Sequence, residues 1–386
     1  MGADYRSLGV VRSLGRRGIP VWVAKGRDHS LATYSKYALR TLAPPDRNGE
    51  ARLNFYLNLS REHGLQRWIL FPTDDEAVTF VSRFHRELSQ AFQVVTPAWE
   101  SLQWAANKIL MHRLAAEFDV QQPWTVCPPN VDELSTMDCP FPVILKPAQR
   151  DVRNELTIRK ALRVDNREKL IRAYKDATRV MEQQLLMVQE IIPGGGENQF
   201  SYTALCRDGK PLVHLVAKRG RQYPMDFGRA STYVETVDDP GLAGPSERLL
   251  DALKLDGLVE IEYKRDPRDG KFKLLDINPR IWGWHTLCGR AGVDYPYLLW
   301  LLVNGKPLPQ VAARTGVHWV RLSSDLLTAL VGMLRGRISP VEYVRSFFGG
   351  PLEEAVMAGD DVWPGLLEIP LLVWTATKRL FTRRKI

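Results

Sequence analysis

The chain has 386 residues, 45% hydrophobic and 25% charged, enough for two or three lobes with separate cores and ordinary for a globular protein. No apolar run approaches the roughly 20 residues that span a bilayer, and the start, Met1 to Arg6, lacks a signal peptide's apolar core, so a cytoplasmic protein is expected. Lys and Arg outnumber Asp and Glu by 53 to 44, a net charge of +9 that suits nucleotide phosphates, nucleic acid or an anionic membrane surface. Nucleic acid is the least supported of these, because no zinc finger, RNA-recognition motif or helix-turn-helix pattern is present. Cys127, Cys139, Cys206 and Cys288 lie far apart without a Cys-x-x-Cys spacing, which argues against a zinc site or a disulfide framework.

The first hundred residues alternate helical and strand-like pieces. A helical run over Arg6 to Arg17, an apolar Val21 to Ala24, a helix around Arg52 to His63 and Trp68 to Phe71 predict an open α/β unit. Pro72 to Glu76 supplies a capping residue and acids for the next helix. If Gly2 belongs to a turn after a first strand, that strand is almost missing, and no Gly-x-Gly-x-x-Gly fingerprint marks dinucleotide binding. A helix over Ala105 to Phe118 carries Lys108, and Phe141 to Pro147 is an apolar strand with Lys146 at its end. The basic stretch from Arg150 to Arg179 reads equally well as a solvated helix face. Met187 to Glu197 is a strand running into a glycine turn, either a hinge or a linker whose backbone meets a planar ring while its acids bind hydroxyls.

Strands are predicted at Ser201 to Leu205 and Leu212 to Lys218, then Arg219, Arg221 and a long loop from Tyr223 to Thr232. After a helix over Ser246 to Leu255 comes the most informative segment. Two alternating runs, Gly257 to Lys264 and Lys273 to Arg280, flank Asp-Pro-Arg-Asp-Gly, a strong hairpin signal. Alternation puts Glu260 and Glu262 on one face, and Asp276 and Asn278 on one face of the returning strand. Such acids are either an ordinary solvated edge or oxygen ligands for magnesium or manganese holding a phosphate. Asn278-Pro279-Arg280 tips the balance toward a bound anion, held by metal on one side and guanidinium on the other. His285 has no neighbours that would make a triad, so a structural role is expected. The last seventy residues turn to short amphipathic helices, and Leu366 to Ile386 is apolar first and then basic, through Lys378, Arg379, Arg383, Arg384 and Lys385. Such a helix can lie on an anionic membrane face or pack on the protein with a frayed end.

Lys108 on a helix, Lys146 closing a strand, Gln189-Glu190 before a glycine turn, and the hairpin ending in Asp276-Ile-Asn278-Pro-Arg280 together resemble the ATP-grasp superfamily. The likeness is strongest to its carboxylate–amine ligases and to the synthetase half-domains of carbamoyl phosphate synthetase. It runs from about Met1 to Pro309, and Glu262 and Asp276 stand fourteen residues apart, as on the paired metal-holding strands of those enzymes. The resemblance implies an α/β chain with a two-lobed α+β ATP-grasp fold: a preceding α/β domain over 1–104, an ATP-grasp domain over 105–310, and a helical extension with a basic tail over 311–386. The small lobe would cover about 105–190 and the large lobe about 191–310.

Carried over residue by residue, the resemblance makes Glu262, Asp276 and Asn278 ligands of magnesium or manganese, with Glu260 a helper. Lys108 and Lys146 would contact ATP phosphates. Gln189, Glu190 and the backbone of Ile192 would line the adenine pocket, and Glu197 would reach the ribose. Arg280, with Arg219 or Arg221, would stabilise an acyl-phosphate. Implied partners are ATP, a carboxylate and an amine, with no nucleic acid; a homodimer and a peripheral contact at the inner membrane face are left open. The implied activity is ATP-dependent joining of acid to amine; the alternative is a nucleotide-binding regulator or membrane-associated scaffold that keeps the clamp without the chemistry. Two departures stand out. Asp276 occupies a place where Glu is commoner, and the loop after Lys146 reads Pro-Ala-Gln-Arg150-Asp-Val-Arg153-Asn rather than glycine-rich, so arginine side chains would replace backbone amides.

Overall fold

A computed structural model describes the chain apart from residues 26–29, 46–48, 149–160, 226, 227, 229 and 384–386, and apart from the side chains of 376 and 378–383. Asp4 starts the first helix, Tyr5–Gly15, because its carboxylate accepts from the otherwise unpaired amides of Arg6 and Ser7. The helix leads into β1 (Val21–Ala24), which pairs in parallel with β2 (Ala38–Leu42), while β3 (Ile69–Leu70) pairs in parallel with β4 (Gln93–Val94). Met1 and Gly2 sit between these two half-sheets. The Met1 amine donates to the Phe71 carbonyl, the Thr73 amide donates to the Met1 carbonyl, and the Gly2 amide donates to the Ala24 carbonyl. The space beside these contacts, between β1 and β3, is an apolar cavity of about 500 Å³.

Four strands, β5 (Thr125–Val126), β6 (Val143–Pro147), β7 (Leu162–Val164) and β8 (Leu186–Glu190), form an antiparallel sheet in the order β5-β8-β6-β7. It has its own core, in which Leu145 and Val188 meet Leu170 and Tyr174 of the helix Arg167–Ala177. That helix turns its charges outward, so the part of the basic stretch it occupies is a solvated face. Arg150 and Arg153, expected over the phosphates, lie outside the described residues.

The larger sheet has seven strands in the order β13-β12-β9-β10-β11-β14-β15. They are β9 (Gln199–Arg207), β10 (Lys210–Tyr223), β11 (Ala230–Val237), β12 (Gly257–Arg265), β13 (Phe272–Asn278), β14 (His318–Val320) and β15 (Leu352–Glu354). Every pairing is antiparallel except β14 with β15. Alternation splits each long strand between two cores. Val259, Ile261 and Tyr263 meet Met111, Leu249 and Leu250 on one face, whereas Leu205 and Leu258 meet the first helix, Trp282 and Leu298 on the other. Gly257 lets β12 begin close to the N-terminal unit, for its φ is +85° and a Cβ there would stand 2.4 Å from the Val95 carbonyl oxygen.

The C-terminal segment departs from the purely helical expectation. His318–Val320 and Leu352–Glu354 extend the sheet edge, three residues each, too short for alternation to announce them. Among the described residues no helix is long and apolar enough to cross a membrane. The four cysteines are unpaired, and three of them are buried.

Candidate functional site

The hairpin closes in the register that the alternation predicts. Glu260 stands opposite Asn278 and Glu262 opposite Asp276, with a register shift just after Glu262. These side chains face away from Ile261 and Tyr263, toward a cavity of about 860 Å³ between the two sheets. Lys146, Gln189, Glu190 and Ile192 reach it from the four-stranded sheet and the linker after it, and Lys108, Arg219, Glu262 and Asp276 from the body of the larger sheet. Eight of the thirteen residues singled out in the sequence therefore share one cavity.

The two acids that line the cavity each meet a base. Glu262 accepts from Arg219 Nη2 at 3.0 Å, and Asp276 pairs with Lys108 Nζ at 2.7 Å. Asn278 lies between the acids, its amide nitrogen donating to Glu262 at 3.0 Å and to Glu260 at 3.3 Å. Glu260 is the buried member, bonded by Ser201 Oγ, and burial together with the neighbouring Glu262 pushes its carboxyl up to about 8. Glu262 and Asp276, which keep contact with the cavity, are thus the exposed oxygen donors. Arg280 lies behind them, ion-paired to Asp75 at 2.5 Å and donating to Asn278 Oδ1 at 3.3 Å.

Opposite the hairpin a buried polar chain holds Lys146. Its ammonium donates to Gln189 Oε1 at 2.8 Å, and the Gln189 amide nitrogen donates to Thr125 Oγ1 and meets His112 Nε2 at 3.1 Å. That contact makes Nε2 the acceptor and leaves Nδ1 to donate to Gln122 Oε1. A neutral ring follows, and burial with nearby Lys146 pushes the His112 imidazole down to about 4. Gln189 thus lines the cavity while bonded to Lys146, Thr125 and His112.

Glu190 is fixed as well. It accepts from the Trp124 amide and pairs with Arg268 at 2.7 Å and Lys273 at 3.2 Å. Burial alone would raise its carboxyl, but these donors hold it below the usual range. Lys264 Nζ clamps the linker, donating to the carbonyls of Ile192 at 2.8 Å and Gly194 at 2.6 Å.

Two expected residues lie elsewhere. Glu197 is exposed and bends back onto the Gly195 amide at 2.8 Å, because a three-residue turn brings its own backbone within reach before any ligand could be. Arg221 does not reach the cavity. It binds both oxygens of buried Asp325, at 2.9 and 2.7 Å, and stacks on Tyr233, since β10 shifts register beside it and turns the side chain toward the C-terminal segment. His285 is structural, as expected: buried, bonded to the Trp282 carbonyl, and so tight against Gly9 that a Cβ there would stand 2.5 Å from its Nε2. Sequence reasoning missed Lys264, although it shares the parity of Glu260 and Glu262. It also missed His112, for which no local pattern gives a signal.

The arrangement is one that receives a polyanion. Cations on both walls face a row of hard oxygen donors, and a cavity of this size holds a nucleotide. Residues 182–324 match a family model described as an ATP-grasp in the biosynthetic pathway with Ter operon. The chain is 24% identical over 298 residues to the D-aspartate ligase of Enterococcus faecium, covering 72% of this chain and 70% of that one. Among solved structures, the L-amino acid ligase of Bacillus licheniformis superposes with a TM-score of 0.60 at 15% identity, over 80% of this chain and 73% of that one. Biotin carboxylase of Campylobacter jejuni, solved as a β-γ-ATP complex, gives 0.63 at 16%, over 82% and 72%. At these identities the superpositions establish the fold.

Proposed function

We propose, from the premise that this chain is an ATP-grasp protein, that it is a ligase joining a carboxylate to an amine at the expense of ATP. A carboxylate oxygen attacks the γ-phosphorus and ADP leaves with the broken P–O bond. The amine nitrogen then attacks the acyl carbon, phosphate departs with its oxygen, and the amine's proton passes to solvent. The observation that carries this reading is the pair Glu262 and Asp276, with Asn278 and Lys108 beside them, across one cavity from Lys146.

The residues perform four tasks. Lys146, steadied by Gln189 and His112, and Lys108 neutralise phosphates. The linker from Glu190 to Gly194, clamped by Lys264, bounds the adenine side through its backbone. Arg219 faces the charge that builds on the transferred group and Arg280 backs Asn278 from behind, as phosphoryl transfer requires positioning and charge neutralisation more than covalent help. Arg221 is instead assigned to holding Asp325.

Magnesium or manganese fits the donor set. The oxygens are hard, and two carboxylates stand directly opposite one another with an amide beside them. No group of three His, Cys, Asp or Glu side chains that could hold a metal occurs among the described residues, so the nucleotide's own oxygens would have to complete the shell. Glu262, Asp276 and Asn278 would hold the ion, which when bound supplies charge neutralisation at the phosphates. Amino acids are the first substrates to try, because two of the similar proteins are a D-aspartate ligase and an L-amino acid ligase.

ADP formation measured over paired acids and amines tests the reading. It is expected to rise with one pair and to need both partners; ATP turnover indifferent to every acid and amine would overturn it. Gln189→Leu removes one hydrogen bond to a charged group, worth about 1.5 kcal/mol. It is expected to raise the KM for ATP roughly tenfold with kcat little changed, as steady-state kinetics would register.

A further inference from the structure

The C-terminal helices are built inside out. In the helix Leu322–Leu334 the buried side carries Asp325, Thr328, Ala329 and Gly332. Leu326, Leu330 and Leu334, one turn apart on the opposite side, are 57%, 54% and 79% exposed. The helix Trp363–Arg383 repeats the inversion: Glu368 is buried, accepting from Arg321 at 2.9 Å and Ser323 at 2.8 Å, while Trp363, Ile369 and Trp374 stand in the open. Those two bonds also join this helix to the start of the first. Arg221 joins the helix Pro340–Arg345 to them, bonding both Asp325 and Ser346 Oγ, and leaves Val344 and Phe348 outward. Fifteen of the twenty exposed large hydrophobic residues among those described fall between 322 and 374, so the surface is concentrated rather than scattered.

Along these three helices the charge is one-sided. The inward acids Asp325 and Glu368 are neutralised by Arg221 and Arg321. Arg335 and Arg345 are exposed at the edges, Glu342 is engaged with the Ser339 amide, and after Glu368 the sequence holds only bases, from Lys378 to Lys385. Outward Leu, Ile and Trp with a cationic rim is the composition of helices that lie in a lipid interface. A second copy complements it poorly, since it carries the same cationic rim and brings no acidic one to meet it.

We propose that the outward face of the helices Leu322–Leu334, Pro340–Arg345 and Trp363–Arg383 docks on an anionic lipid bilayer, lying along the interface without crossing it. The docking is independent of the ligase reading. Flotation of the full chain with vesicles of equal parts phosphatidylglycerol and phosphatidylcholine is expected to carry it upward. Binding should be at least tenfold weaker to pure phosphatidylcholine and should fall with added salt. Leu330→Glu with Ile369→Glu should abolish flotation without changing the melting temperature. Arg335→Gln with Arg345→Gln, which leaves the apolar face intact, should weaken it. Absence of flotation, binding indifferent to lipid charge, or a stable dimer in light scattering that the Leu330→Glu, Ile369→Glu variant dissociates would each overturn the proposal.

Discussion

Glu262→Ala is expected to lower ATP-dependent phosphate release by at least 10²- to 10³-fold, about the loss when one preorganised group facing transition-state charge is removed. Glu262 holds three positions at once: it stands opposite Asp276, accepts from Asn278 and restrains Arg219. Its removal takes one carboxylate from the proposed metal and frees a cation from its place. The fold should survive, because the buried neighbours Ile261 and Tyr263 point into the opposite core and are untouched. A melting temperature near that of the parent, with phosphate release lost, is the expected pair of measurements. Retained phosphate release in this variant and in Asn278→Ala would end the assignment of the hairpin as a metal wall.

The largest effect on stability is expected far from the cavity, at Asp361. Its carboxylate accepts from Arg12 Nε at 2.9 Å, Ser35 Oγ at 2.7 Å and the Lys36 amide at 3.0 Å, and both side chains of the ion pair are almost wholly buried. Asp361→Ala strands the Arg12 guanidinium, and breaking a buried pair in this way costs about 3–5 kcal/mol. Urea titration of parent and variant would measure it; a loss under about 1 kcal/mol would count against the pair as a structural link. The pH dependence follows in sign. Burial alone would raise the Asp361 carboxyl, but Ser35, the Lys36 amide and Arg12 outweigh it and hold the group below the usual carboxylate range. A depressed folded value means the contribution is fully present above the unfolded value of about 3.9 and is lost as pH falls through the folded one. Acid should therefore narrow the gap between parent and variant below about pH 4.

The hairpin was legible because everything that defines it is local: alternation, turn residues and two acids whose parity fixes their face. Lys146 at a strand end and the Gln189-Glu190 linker were legible for the same reason. What stayed hidden depends on partners far along the chain. Arg12 and Asp361 are 349 positions apart, and Arg221 and Asp325 are 104 apart, so no window of sequence contains both. Arg221 stands two residues beyond Arg219, and alternation gave reason to group them; the register shift beside it sends the side chains to different destinations. Gln189 reaches the cavity, and its bonds there to Lys146, Thr125 and His112 are ones that no local pattern announces. The lid contacts expected of Arg150 and Arg153 fall outside the described residues.

The division of cores has a mechanical consequence. The first helix, the larger sheet and the C-terminal segment share one apolar core, running from Leu8 through Trp282 and Trp319 to Val356. The four-stranded sheet owns a separate core and meets the rest around the cavity through polar links, at Gln189 with His112, Glu190 with Arg268 and Lys273, and Lys264 with the linker carbonyls. Greasy seams resist sliding, while hydrogen bonds and ion pairs can be exchanged one for another at little net cost. Any motion of one body against the other would therefore be taken up at these charged groups, the same ones that an incoming nucleotide would recruit.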